Sequence, residues 1–340
     1  MFSTFRSFCL SLFCFSVMFA ASSQSLDAEC IGDDLRPAMS PQDRAELGDL
    51  LRNMPYSAGN HWQARRGIQT VHVIGTMHLD DPKFAAILRR LTPILITAEK
   101  ILLEATQVEM DGLEALLSQR PDLLMIAEGP TIPELLPEQD WKWLMAAGSA
   151  RGIPSFMLAK MQPWYLSMIL GLPPCAIAEM ASGAEGLDKM IIDIAQANDV
   201  PMAALEPMDT MLHIFGEVAR EEQVRYLTAY LQSPKEGRDM LQTLRASYFE
   251  EKHGENWHFG NLHARRTTDI PPAELQSLLA ELRRLMLTNR NANWFPQIIQ
   301  NLPEAGGHIV VAVGAAHLSG SDGILHMLAE EGFELTRLPF

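Results

Sequence analysis

His308-Ile309-Val310-Val311-Ala312-Val313-Gly314-Ala315-Ala316-His317-Leu318-Ser319-Gly320 is the stretch on which the reading of this chain turns. Ile309 to Val313 form an apolar, mostly β-branched run between Gly306-Gly307 and Gly314, which predicts a short strand buried on both faces of a sheet. His317 follows where that strand should end. In open α/β sheets ligands bind in the crevice beyond the carboxyl ends of the strands, so a histidine there is a candidate functional residue. The figure occurs once more, far upstream: Thr70-Val71-His72-Val73-Ile74 predicts a strand, and Gly75-Thr76-Met77-His78-Leu79 repeats the glycine-to-histidine spacing and the following leucine. These units predict an α/β fold of mixed α+β character: a central sheet flanked by many helices, with two strand-Gly-x-x-His units contributing to one site.

Two further strand ends carry carboxylates. Lys100 to Leu103 predicts a strand ending in Glu104, and Val200 to Leu205 one ending in Glu206-Pro207. If consecutive strands lie side by side, Glu104 stands beside His78 at the same sheet edge; the alternative is a solvated loop acid. Glu206 reads as a second acid in the site or as a structural partner for an arginine. Pro271-Pro272 opens an amphipathic helix with Leu275, Leu278, Leu279, Leu282, Leu285 and Met286 on one stripe. It runs into Asn289-Arg290-Asn291-Ala292-Asn293-Trp294, where Arg290 and Asn291 either point into the site or, for Arg290, complement a helix C-terminus.

The rest is read more coarsely. Ser40-Pro41 predicts a helix start, and residues up to Arg66, with Asn60 to Gly67 as the connection into the first strand, read as a wrapping segment. The region Asp111 to Asp199 is largely helical in pattern. Its methionine-rich part, Pro154 to Leu170, serves as core filler or as a pliable binding surface. Lys252 to His263 holds three histidines, but they lack the i, i+4 spacing of a helical metal pair, and the glycines predict a loop at the rim of a site.

At 340 residues, 47% hydrophobic and 20% charged, the chain can bury a sizeable core. A formal charge of -15 argues against nucleic acid or anionic lipid as a general partner, since phosphate binding needs clustered Lys and Arg. Residues 1–25, with Arg6, an apolar run from Phe8 and small residues at Ala20 to Ser23, predict a secretory signal peptide, leaving residues 26–340 as one domain exported to a periplasmic or secreted location. No stable membrane span is expected after its removal; Trp164 to Met180 comes closest, and Pro173-Pro174 interrupts it. Of four cysteines, Cys30 and Cys175 lie outside the signal and are expected to form a disulfide in an oxidising compartment, two free thiols being the alternative.

Taken together, the two Gly-x-x-His motifs, Glu104, Gly186-Leu187-Asp188, Leu205-Glu206-Pro207, Arg290-Asn291-x-x-Trp294 and Val313-Gly314-Ala315-Ala316-His317-Leu318-x-Gly320 resemble the TraB/GumN/Tiki family over nearly all of the chain from His72 onward. The resemblance is to its exported bacterial GumN-like members. It implies a mixed α/β domain and, from the animal Tiki members, a divalent-metal-dependent peptidase with manganese or cobalt as usual ions. By that resemblance His78, Glu104 and His317 form the metal set, and Arg290 is the family's arginine. Met77 departs from the small residue usual there, which would narrow the entrance.

Two imidazoles and a carboxylate suit Mn, Co or Zn and leave positions open for water and substrate. Such an ion acidifies its water and polarises a carbonyl. Arg290 would stabilise an oxyanion, Glu206 would act as base or supporting acid, and Asn291 would bind substrate, a peptide or small molecule. A second reading keeps the residues as an esterase-like, metal-independent hydrolase with His78 as base. A third is a non-catalytic metal- or haem-binding exported protein.

Overall fold

The computed structural model describes residues 30–216, 218–229 and 233–340. The predicted signal segment therefore lies outside the described residues. The six strands are β1 (His61–Arg66), β2 (Gln69–Thr76), β3 (Lys100–Leu103), β4 (Met202–Ala204), β5 (His308–Gly314) and β6 (Glu334–Arg337). They form one mixed sheet in the order β4-β3-β5-β2-β1-β6. The first four of that order run parallel, and β1 is antiparallel to both β2 and β6.

Side chains alternate between two apolar layers, as the period of two requires. Val71, Val73, Ile309, Val311 and Val313 face a core completed by Trp294, Ile298 and Leu325. Ile74, Ile101, Leu103, Val310 and Ala312 face the other, built with Phe84, Leu91, Leu187, Ile191 and Tyr248. The continuous apolar character of β5 follows, because every residue in it must be acceptable to one core or the other.

One expectation about the sheet is corrected. β2 and β3 are not neighbours; β5 lies between them, pairing Ile74 with Ala312 on one side and Leu103 with Ala312 on the other. Adjacency of consecutive strands is a tendency, and the run buried on both faces takes the centre. Glu104 is thereby placed against the end of β5 and not directly beside His78. The register also sets Gly75 opposite Val313 and Thr76 opposite Gly314, so both Gly-x-x-His segments leave the same edge side by side.

Two strands escape the sequence pattern. The segment read as a connection, Asn60 to Gly67, is mostly β1, a hairpin partner of β2 that turns at Gly67 (φ 60°). The closing strand β6, Glu-Leu-Thr-Arg, is largely exposed; charged residues are what a solvent-facing edge strand carries. The stretch read as a loop, Lys252 to His263, is instead the start of a helix, His253–Thr267. A Cβ at Gly254 would stand 2.8 Å from Met54 Sδ and from Ser57 O, so this glycine permits close approach of the helix to the N-terminal segment and is not a helix breaker. His253 is buried and bonds Asn60 Oδ1 at 3.1 Å and Tyr56 O at 3.2 Å, so it is a structural histidine, whereas Trp257, Gly260 and His263 of the same stretch do line a cleft.

The N-terminal segment wraps the helical layer. Ser40 caps the helix Pro41–Arg52 by accepting from Asp43 N at 3.1 Å. Asp33 and Leu35 donate backbone N–H groups to Asp239 and Thr243. Cys30 is disulfide-bonded to Cys175 at the start of the helix Pro174–Ala181, with 5.3 Å between Cα atoms. The methionine-rich region divides between both of its readings: Met161, Leu166 and Leu170 are core, while Met168 and Trp164 also border a cleft. Among the described residues no single helix is long and apolar enough to cross a membrane; Pro163–Leu170 and Pro174–Ala181 meet at an 89° bend.

Candidate active site

At the carboxyl end of β5 the chain turns through a short 3-10 segment, Ala315–His317, which buries the His317 ring to 4% exposure. Its Nδ1 donates to Asn291 Oδ1 at 2.7 Å. The Asn291 amide is itself oriented by donating to His317 O at 3.2 Å and Asp322 O at 2.7 Å, so its oxygen must face the ring. Nδ1 therefore carries the proton and Nε2 presents a lone pair, which accepts from Arg290 Nη1 at 3.3 Å. Burial, against the opposing pull of Glu104, and then the Arg290 and His78 charges hold the imidazole down at about 3, so it is neutral at pH 7. Trp294 packs on it at 4.4 Å between ring centroids.

Arg290, Asn291 and Trp294 share one inward face of the helix Asn289–Gln300. The predicted long helix is interrupted just before them: Pro272–Arg283 passes into a wide π turn, Arg284–Thr288, before the regular helix resumes. Such turns occur often at functional sites, where they rotate the following residues about the axis. Arg290 is 8% exposed and held on several sides. Nε and Nη2 fork onto Glu206 at 2.9 and 2.7 Å, and Nη2 also reaches Glu104 Oε2 at 2.6 Å.

Glu206, just after β4, also accepts from Trp294 Nε1 at 3.0 Å. Its oxygens are thus occupied in holding the arginine, the supporting-acid role of the two considered. Asn291, expected to bind substrate, is 2% exposed and engaged with His317 and Asp322; it positions the histidine instead. Glu104 Oε1 accepts from Gly314 N at 2.7 Å and stands 3.9 Å from His317 Nε2. Burial pushes the Glu104 carboxyl up, but His317, Arg290, His78 and the Gly314 N–H outweigh it and hold it down at about 2.

His78 is arranged differently. Its backbone is fixed: Tyr248 Oη donates to Gly75 O at 2.8 Å and Leu187 N to Met77 O at 3.0 Å. Its ring is open, with 60% of the side chain accessible, and Nδ1 lies 3.0 Å from Asp188 Oδ1. Asp188, in the first turn of the helix Leu187–Ala197, raises the imidazole well above its ordinary value despite the opposing effect of desolvation, and water in the open crevice screens the pair. The Asp188 carboxyl is lowered in turn: burial opposes its ionisation and His78 outweighs it. Asp188 belongs to the Gly186-Leu187-Asp188 segment that carries the family resemblance, but nothing in the spacing links residues 78 and 188, so their pairing is visible only in the fold. Met77 is 7% exposed and packs in the core with Ile74 and Leu187, so it does not narrow the entrance.

The glycines of the motifs act by closeness. Neither Gly75 nor Gly314 has positive φ. A Cβ at Gly75 would lie 3.0 Å from Ala315 Cβ, and one at Gly314 3.2 Å from Glu104 Oε1. Gly186 is tighter: a Cβ there would lie 2.4 Å from the His78 carbonyl carbon.

A family model described as the TraB/PrgY/gumN family matches residues 60–337. The chain belongs to the TraB/PrgY/gumN family. The match spans the sheet, both Gly-x-x-His segments, Glu104, Glu206 and Arg290. Among curated proteins none matches it significantly.

In this TraB/PrgY/gumN chain a cleft of about 1130 Å³ has Arg290 and His317 among its lining residues and is bordered by Trp143, Trp164, Phe215 and Trp257. Among the described residues no group of three or more His, Cys, Asp or Glu side chains stands close enough to hold a metal ion. His317 Nε2 and Glu104 Oε1 have the right donor chemistry, an unprotonated imidazole nitrogen beside an ionised carboxylate. His78 stands apart with Nδ1 on Asp188, and Arg290 already contacts both donors. Glu104 and His317 thus have the donor chemistry of metal ligands, but in this arrangement Arg290 engages both and no third donor converges on them among the described residues.

Proposed function

We propose that the crevice is a hydrolytic centre for carbonyl substrates, peptide bonds foremost, in which Glu104 and His317 hold a divalent ion, manganese or cobalt before zinc, and His78 completes the set. The observation that carries this reading is the buried pair of an unprotonated Nε2 and an ionised carboxylate, 3.9 Å apart at the sheet edge, with an arginine against both. Asn291 supports it as the outer partner that fixes a ligand histidine's tautomer. When bound, the ion would supply acidified water and carbonyl polarisation. Arg290 faces the cleft, where a guanidinium stabilises a developing oxyanion, and Glu206 keeps that guanidinium aimed. His78 joins an ion only after giving up the proton that Asp188 favours, so metal uptake is expected to weaken as pH falls.

One observation favours a second reading. The His78–Asp188 pair is a solvent-open imidazole oriented by a partly buried carboxylate, an arrangement suited to acid–base catalysis without metal, as in an esterase-like hydrolase. The Cys30–Cys175 disulfide supports an oxidising, exported location for either enzyme.

The test is metal content by elemental analysis together with cleavage of a peptide library under EDTA, Mn²⁺ or Co²⁺, for wild type, His317→Ala and Asp188→Asn. Cleavage that requires metal and vanishes in His317→Ala supports the first reading. EDTA-resistant cleavage lost in Asp188→Asn replaces it with the second. Metal retained without cleavage of any peptide would leave a binding protein.

A further inference from the structure

The walls of the cleft above Arg290 and His317 constrain what can lie in it. Trp164 and Phe215 stack at 5.5 Å with an 11° interplanar angle, and the 41% exposed Trp143 lies on the same lining. Trp164 and Phe215 spend their faces on each other and are only 9% and 8% exposed, so the apolar contact open to a ligand comes chiefly from Trp143, an aromatic anchor for apolar side chains. Charge points the same way in every part of the lining. Arg290 is the one Lys or Arg among the described lining residues, and Glu104 and Glu206 already neutralise it. Asp140 and Asp269 line the cleft and form no ion pair among the described residues, and the neighbouring Lys142 is paired with Glu138. Among the described lining residues an anionic ligand meets only an arginine already shared by two carboxylates, whereas a cation meets two carboxylates without an ion pair and an exposed aromatic face.

We propose that the cleft takes an extended peptide with apolar or aromatic residues at its centre and a flanking positive charge, from Lys, Arg or a free N-terminus, directed to Asp140 and Asp269. This rests on the hydrolytic reading of the same crevice and adds its substrate class. Asp140 and Asp269 set the charge preference, and the aromatic wall sets the apolar one.

The experiment uses the whole protein and three dansyl-labelled octapeptides, acetylated and amidated, with one shared Phe-Leu core and flanks of Lys, Gln or Glu. Binding is read by anisotropy at low ionic strength, and peptide integrity is followed separately by mass spectrometry. The Lys peptide is expected to bind about tenfold more tightly than the Glu peptide, and Asp140→Asn with Asp269→Asn to reduce that ratio to about two. Both acids face solvent at least in part and make no ion pair, so that variant keeps its fold, checked by circular dichroism; Trp143→Ala is expected to weaken all three peptides together. Equal or inverted affinities in wild type, or a ratio unchanged in the double variant, overturn the proposal. A charge preference that holds while no peptide is cut under any metal condition leaves the ligand class standing and removes the hydrolytic reading.

Discussion

The two Gly-x-x-His segments share a sequence figure and leave the sheet side by side, yet they hold their imidazoles in opposite conditions. His317 is buried, neutral and fixed in one tautomer by Asn291. His78 is open to solvent and biased toward the imidazolium by Asp188. The motif fixes where the backbone goes. Charge state comes from partners supplied by other segments, Asn291 from the helix before β5 and Asp188 from the helix before β4. The same Gly-x-x-His-Leu spacing is therefore compatible with two chemical roles in one crevice.

Removing Arg290 should break the buried half most severely. Arg290→Met leaves Glu104 and Glu206 buried without their counter-ion, with an expected loss of about 3–5 kcal/mol measured by urea unfolding. A loss under about 1 kcal/mol would mean that the two carboxylates find other compensation. Gly186→Ala breaks the other half, because its Cβ would press on the His78 carbonyl. The expected cost is about 1–3 kcal/mol, and the His78 ring resonances should shift by NMR while those of His317 stay; equal shifts in both would show that the halves are one rigid unit.

The pH dependence of stability sharpens the contrast, and its alkaline limb is the smallest of these effects. His317 is held at about 3 in the folded chain, below its ordinary 6.5. The unfolded chain thus binds the proton first, and stability falls as pH drops from 6.5 toward 3. Glu104, held at about 2 instead of 4.5, adds to that loss below pH 4.5. For His78 the sign reverses: its raised value gives stability that is complete below 6.5 and is lost as pH climbs toward about 10. With the ring largely accessible, that alkaline loss should stay below about 1 kcal/mol. Urea titrations from pH 5 to 10, above the range where Asp188 itself titrates, should show Asp188→Asn flattening the alkaline limb alone; a flattened limb between pH 6.5 and 5, where His317 acts, would contradict the assignment.

Much of this was readable from the chain. The runs at β2, β3, β4 and β5 are apolar enough to declare themselves, and each ends in a residue that stands in or beside the crevice: His78, Glu104, Glu206, His317. Arg290 was legible because a cation follows a long apolar stripe. What stayed hidden depended on tertiary pairing. β6 carries glutamate and arginine because it is a largely exposed edge, and β1 buries only His61 and Ala64 among polar residues, which masks the alternation in both. Gly254 reads as a helix breaker until the neighbouring segment that requires it is known. Asp188 and the role of Asn291 are contacts over long sequence distances, and no local pattern encodes them.

The central position of β5 has a consequence for the order of assembly. β2 pairs with β1 and β3 with β4, and among the described strands β5, near the C-terminus, is what joins these two pairs. Until residue 314 is available the nascent chain can form at most those two separate pairs and no common sheet, and His317 has no site to enter. Closure is late and non-local, which slows folding and prolongs exposure of those edges. A chain stopped before His308 keeps most of the residues of the core and none of its keystone.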